Sequence, residues 1–188
     1  MIQRRAIFLD RDGVINANRA DHVKSWEEFA FLPGAFDALK RIAASDFAIL
    51  VTTNQAAIAR GLTTDAAVRE IHEHMSTEVA RAGGRIDAVY YCPHLPDENC
   101  DCRKPRPGLY TRGAREWEID LARSYVVGDA MADIAAAQAI GAAPILVLSG
   151  RGQEQRAVLE ANHYAGFHVA HDLRDAVEWI WQKERIAQ

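Results

Sequence analysis

The sequence predicts an α/β fold: an open, doubly wound parallel sheet with helices on both faces. Three observations predict it. Short apolar runs recur along the chain, amphipathic stretches separate them, and carboxylate, amide or hydroxyl residues follow several of the runs. Continuous apolar runs, unlike alternating ones, suit parallel strands covered on both sides. Alternating strands and helices assemble into this architecture. Strands are expected at 6–9, 47–52, 88–91, 125–127 and 145–148. The first helix, 36–44, is short. The second, 64–82, starts at Thr64-Asp65, a plausible N-cap. A third, 108–117, follows Pro107. A fourth, 132–140, is Ala-rich and stops at Gly141, which suits a helix end. The last, 173–184, puts Leu173, Ala176, Val177 and Ile180 on one face.

The 188 residues fit one domain spanning 1–188, at about 150 residues per domain. With 22 Lys+Arg against 26 Asp+Glu, the net charge of −4 offers no footprint for nucleic acid or an anionic membrane. No apolar run approaches the roughly 20 residues of a membrane span. The opening Met1-Ile2-Gln3-Arg4-Arg5 precedes only four apolar residues, too few for a signal-peptide core, so the cytoplasm is the expected compartment. No exposed heptad or long apolar edge is evident, and a monomer is expected.

In such sheets ligands bind outside the carboxyl ends of the strands. Those positions hold Asp10 and Asp12 after the first run, Thr53, Asn54 and Gln55 after the second, and Asp129 after a later one. Asp10 and Asp12 are two apart, so an extended chain points both to one side, and Gly13 permits a sharp turn away. Neighbouring carboxylates repel, and the site should hold a cation or shift a proton. Asp129 and Asp133 lie on adjacent turns of a starting helix. An all-oxygen ligand set points to Mg²⁺. Either aspartate cluster alone reads equally well as a strand-end or helix cap. Capping does not explain why two clusters follow two different strands, with Thr53, Asn54 and Lys104 as polar and cationic partners.

All three cysteines and His94 fall between 92 and 102, as Cys92-Pro93-His94, then Cys100-Asp101-Cys102. One Cys₃His set fits tetrahedral Zn²⁺, and four protein ligands leave no open position, so the site reads as structural. The spacing is not that of a zinc finger. Unrelated thiols are the alternative, as is a disulfide, which a cytoplasmic setting disfavours. The segment is polar and proline-rich, and a metal would stand in for a core there.

Asp10-Arg11-Asp12-Gly13-Val14-Ile15-Asn16 resembles the first motif of the haloacid dehalogenase-like phosphohydrolases. Thr53 resembles their second motif, Lys104 their third, and Gly128-Asp129 with Asp133 their fourth, in order, over about residues 6–150. The resemblance implies an aspartyl-phosphate mechanism. Asp10 would be the nucleophile and Asp12 the acid and base. Mg²⁺ would sit among the Asp10 carboxylate, the Asp12 carbonyl and Asp129. Thr53 and Lys104 would stabilise the transferring phosphoryl group, and Asp133 would orient Lys104 or a metal-bound water.

Asp-Arg-Asp-Gly followed by Cys-Pro-His and Cys-x-Cys-Arg-Lys-Pro is similar to the D-glycero-D-manno-heptose-1,7-bisphosphate 7-phosphatases. That likeness implies no large cap domain and a zinc-bound loop, 92–102, holding Arg103 and Lys104 over the phosphate. It also implies a small phosphorylated sugar as substrate, met by Arg103, Asn54 and Gln55, with the Asn16-to-His22 loop and Arg60 lining the pocket. Zinc-loop relatives acting on histidinol phosphate are an alternative. A catalytically silent phospho-ligand binder is another, but Asp10, Asp12, Lys104 and Asp129 are all present. The chain departs from the pattern at Ala130 (often Lys), Val14 (often Thr), Ala56-Ala57 (often Ser-Gly) and His22 (often Tyr nearby). A missing Lys removes a phosphate contact worth about 1.5–3 kcal/mol.

Other residues read as structural. His72 and His74 are two apart on a helix and face differently. His22, His163, His168 and His171 read as surface residues, and Trp26, Trp117, Trp179 and Trp181 as packing. Arg4, Arg5 and Arg151 read as solvated, though the loop after Ser149-Gly150 could approach a ligand.

Overall fold

In the computed structural model, described over residues 3–186, the run Ala6-Ile7-Phe8-Leu9 forms strand β1 (Ala6–Leu9), fully buried on both sides. Met1 and Ile2 of the opening stretch, and residues 187 and 188, lie outside the described residues. The other strands are β2 (Ala48–Asn54), β3 (Ala88–Cys92), β4 (Tyr125–Gly128), β5 (Ala143–Val147) and β6 (His168–Ala170). All pair in parallel, in the order β3-β2-β1-β4-β5-β6.

Side chains alternate across the sheet. On one face Ile7, Leu9, Ile49, Val51, Val127 and Ile145 pack under α1 (Ala35–Ala43), α2 (Asp65–Arg81) and α6 (Leu173–Ile186). On the other, Ala6, Phe8, Leu50 and Val126 meet α3 (Gly108–Trp117) and α4 (Met131–Ala139). A smaller cluster of Ile134, Leu146 and Leu159 seats α5 (Gly152–Ala161). Thr64 does cap α2, its side chain accepting from the Ala67 N–H. Among the described residues no helix is long and apolar enough to cross a membrane.

Two elements were not expected from the sequence. β6 has only three residues, and α5 buries only Gly152 and Leu159, so neither carries a strong apolar pattern. β2 runs two residues past its expected end, which makes Thr53 and Asn54 strand residues in register with Tyr91 and Cys92. His168 is not a surface residue: it lies in β6, half-buried, its ring stacked on Trp179 at 4.2 Å. Nor is Arg5 simply solvated, since it pairs with Asp46 and Glu184 and lies over the Phe47 ring.

Candidate active site

The order of strands reverses between β1 and β4, the place where such sheets open a crevice. A cleft of about 600 Å³ lies there, lined by Asp10, Asp12, Thr53, Asn54, Gln55, Arg103, Lys104 and Asp133 among others. β1 delivers Asp10, whose N–H bonds the Val127 carbonyl of β4. Gly13, at φ +87°, turns the chain away, and a Cβ there would stand 2.1 Å from Asp129 Oδ2. Gly150 closes the same corner from the loop after β5, with φ +59° and space for a Cβ only 2.4 Å from that oxygen. The glycines let backbone pack against a buried carboxylate.

Lys104 reaches this floor from the loop after β3. Its Nζ lies 2.9 Å from Asp10 Oδ1 and 2.6 Å from Asp133 Oδ1, and donates to the Thr52 carbonyl at 2.8 Å. Asn54 pins the lysine backbone, with Nδ2 donating to the Lys104 carbonyl and Oδ1 accepting its N–H. Burial works against charge on Lys104, but Asp10 and Asp133 outweigh it and raise its pKa. Asp133 also accepts from the Ala130 N–H, so one carboxylate fixes both the lysine and the start of α4.

Asp10, Asp129 and Asp133 bring carboxylate oxygens within 4.8 Å of one another, and the Asp12 carboxylate is not in that group. Burial, then repulsion from Asp133 and Asp12, lifts Asp10 to about 6 despite Lys104. Burial and Asp10 lift Asp129 to about 6 as well. Asp129 Oδ2 accepts from the Arg151 N–H at 2.8 Å and from Asn18 at 3.4 Å. Its Oδ1 is buried and has no partner among the described residues. A buried carboxylate oxygen without a partner, on a residue grouped with two other carboxylates, fits a divalent cation and is costly without one.

Asp12 is held separately. Arg11 donates to both its oxygens at 3.0 and 2.9 Å, Asn16 to Oδ1 and Gln55 to Oδ2, each at 2.9 Å. Burial opposes its charge, but Arg11 and these amides hold its pKa below the usual carboxylate value. Asn16 therefore differs from the sequence expectation, and Gln55 meets it in lining the cleft. Asn16 is fully buried and does not line the cleft, and Gln55, which does, spends its amide on Asp12 and Thr53. Arg60 is exposed and is not among the cleft residues. His22 is half-buried and lines the cleft.

At one rim Cys92, His94, Cys100 and Cys102 converge. Cys92 Sγ lies 3.5 Å from Cys100 Sγ, Cys102 Sγ 3.5 Å from Cys100 Sγ, and His94 Nδ1 3.3 Å from Cys102 Sγ. A tetrahedron with Zn–ligand bonds of about 2.0–2.3 Å has edges close to these, and the thiols are free, not bridged. Arg103, next in sequence, donates to the His94 carbonyl at 3.1 Å.

A family model described as haloacid dehalogenase-like hydrolase matches residues 1–138, and a related HAD-hydrolase-like model matches 101–176. The chain belongs to the haloacid dehalogenase-like hydrolase family. Among relatives of this hydrolase is the D-glycero-beta-D-manno-heptose-1,7-bisphosphate 7-phosphatase of Bordetella bronchiseptica, 40% identical over 95% of this chain and 99% of the relative. The crystal structure of D,D-heptose 1,7-bisphosphate phosphatase from B. bronchiseptica, complexed with magnesium and phosphate, superposes with a TM-score of 0.90 over 95% of this chain and 99% of that one, at 40% identity. The D,D-heptose 1,7-bisphosphate phosphatase from Burkholderia thailandensis gives 0.72 at 33% identity, over 98% and 100%.

Arg11 and His72 were not predicted as site residues, whereas Asn18 lies in the 16–22 loop expected to line the pocket and Arg151 in the loop expected to approach a ligand, and both line the cleft. Gln55 and Arg11 touch the same carboxylate from positions 44 apart, and the Arg151 contact to Asp129 is made by backbone. Only the position of Arg11 between two aspartates was a usable signal.

Proposed function

We propose that this chain, as one phosphohydrolase domain, removes the 7-phosphate of D-glycero-D-manno-heptose 1,7-bisphosphate through an aspartyl-phosphate on Asp10. The observation that carries the reading is Lys104 set 2.9 Å from Asp10 beside the unpartnered Asp129 Oδ1. The relatives named above are phosphatases of that substrate.

Asp10, Asp129 and the Asp12 carbonyl would hold magnesium, which supplies positive charge to bind the phosphate and offset charge developing on it. Asp10 attacks phosphorus in line as the bond to the sugar oxygen breaks. Lys104 and Thr53 stabilise the phosphoryl oxygens. The leaving oxygen takes a proton from Asp12. Asp12 gains that proton when the anionic phosphate docks beside it, since a neighbouring negative charge raises a carboxyl pKa. Asp12 then deprotonates the water that splits the aspartyl-phosphate. Zinc held by Cys92, His94, Cys100 and Cys102 would fix the loop that presents Arg103 and Lys104. Arg103, with Asn54 beside it, faces the sugar.

We also infer a cytoplasmic monomer. Three thiols at ligand spacing suit a reducing compartment, and light scattering tests the oligomeric state. The reaction itself is tested by phosphate release from both anomeric heptose bisphosphates and from histidinol phosphate, with and without Mg²⁺. Magnesium-dependent release from a heptose bisphosphate is expected. Preference for histidinol phosphate would reassign the substrate. Asp10→Asn should abolish turnover with an unchanged circular dichroism spectrum. Substantial surviving Mg²⁺-dependent release would overturn the nucleophile.

A further inference from the structure

Behind the cleft lies a buried group that the proposed reaction leaves unused. Arg11 is wholly buried between the two aspartates. Its Nη2 donates to both Asp12 oxygens and, at 3.1 Å, to Gln55 Oε1. Its Nη1 lies 3.1 Å from His72 Nε2. Its Nε has no partner among the described residues. A guanidinium only donates, so His72 Nε2 must accept, and the ring proton sits on Nδ1.

His72 is buried on the inner face of α2, its ring 5.2 Å from that of Tyr91. Burial, then the charge of Arg11, pushes it down to about 3, with Asp12 and Asp65 opposing. At ordinary pH it is therefore a neutral acceptor. The guanidinium has two anchors. Nη2 fixes one corner against Asp12 and Gln55, and with Nε unpartnered, His72 at Nη1 is the contact that fixes the plane.

We propose that His72 is a positioning residue for the phosphatase reaction, holding Arg11 so that the Asp12 carboxylate keeps its aim into the cleft. The inference rests on the reading of Asp12 as acid and base. Catalytic groups displaced by about 1 Å cost on the order of 10²-fold in rate. In this reading Asp12 acts on the sugar oxygen as the bond to phosphorus breaks, an interaction of the transition state and not of ground-state binding, so the effect falls on kcat and not on KM.

The experiment compares His72→Leu with His72→Gln on the heptose bisphosphate with Mg²⁺, and solves both crystal structures with wild type. The Gln Oε1 is as many bonds from Cα as His Nε2 and can accept from Nη1. His72→Leu should lower kcat about 10- to 100-fold with KM within about threefold, and its Asp12 carboxylate should shift. His72→Gln should return kcat to within about threefold of wild type, by restoring the acceptor. Where His72→Leu does not fold, His72→Asn, one bond too short, replaces it. A leucine variant with kcat unchanged overturns the proposal, as does a glutamine variant as slow as leucine. A wild type that releases no phosphate overturns the proposed function instead. The crystals then decide positioning: an unmoved Asp12 in the leucine variant overturns it, and a displaced one supports it.

Discussion

Lys104 Nζ sits 2.9 Å from Asp10 Oδ1, with both side chains almost entirely removed from water. A buried ion pair broken from one side leaves an uncompensated charge, typically at a cost of about 3–5 kcal/mol. Here the lysine faces two carboxylates, since Asp133 lies 2.6 Å away. Lys104→Met should therefore destabilise the protein by several kcal/mol in urea unfolding at neutral pH, and should lower phosphate release by at least about 10²-fold. A variant as stable and active as wild type would contradict the arrangement.

Gly150 predicts a metal-dependent defect. At φ +59° it is in the left-handed region, and an added Cβ would approach Asp129 Oδ2 to 2.4 Å and the Gly13 Cα to 2.5 Å. Gly150→Ala is expected to cost about 1–3 kcal/mol in stability. It should also raise the Mg²⁺ concentration for half-maximal activity, because Asp129 must move. Titrating activity with Mg²⁺ checks this.

The cysteine cluster predicts stoichiometry. Elemental analysis of untagged protein should find about one zinc per chain, as a Cys₃His site requires. Cys102→Ser should lose the ion and also reduce activity, because Arg103 and Lys104 follow the ligand directly. Full activity with no zinc would remove the loop from the account.

His72 predicts an acid-side loss of stability. Unfolded histidine titrates near 6.5, whereas the buried ring is held at about 3. Between these values the unfolded chain binds a proton that the folded one refuses. The contribution is therefore complete above about pH 6.5 and is lost as pH falls toward 3, at up to roughly 1.4 kcal/mol per pH unit. Asp10 and Asp129, with raised values, act in the opposite sense, so the wild-type curve alone mixes the effects. The difference between wild type and His72→Gln in urea midpoints at pH 7 and pH 4.5 isolates the histidine. The variant should lose less on acidification.

The parts of the site legible in the sequence are those carried by short motifs at strand ends. Asp10, Asp129, Asp133 and Lys104 lie together because apolar runs fix the strands and the motifs follow directly. Contacts between distant segments were not legible. Helical spacing separates the faces of His72 and His74, but it does not say that His72 meets Arg11, 61 positions away. A polar side chain near a strand end carries no label for its partner, so Asn16 and Gln55 look like substrate residues in the sequence. The structure gives both to Asp12. Arg60 is exposed and not among the cleft residues, and β6 and α5 are too short or too polar to register.

The pairing of β1 with β4 has a consequence during synthesis. Asp10 is made early, yet its neighbour across the sheet, Val127, and Asp129 just beyond are made more than a hundred residues later. Such long-range pairing folds late. Until β4 docks, the nascent chain lacks Asp129 and lacks the Val127 carbonyl that accepts the Asp10 N–H. Catalytic competence thus waits for β4, and a fragment stopping after Lys104 should be inert whatever metal is supplied.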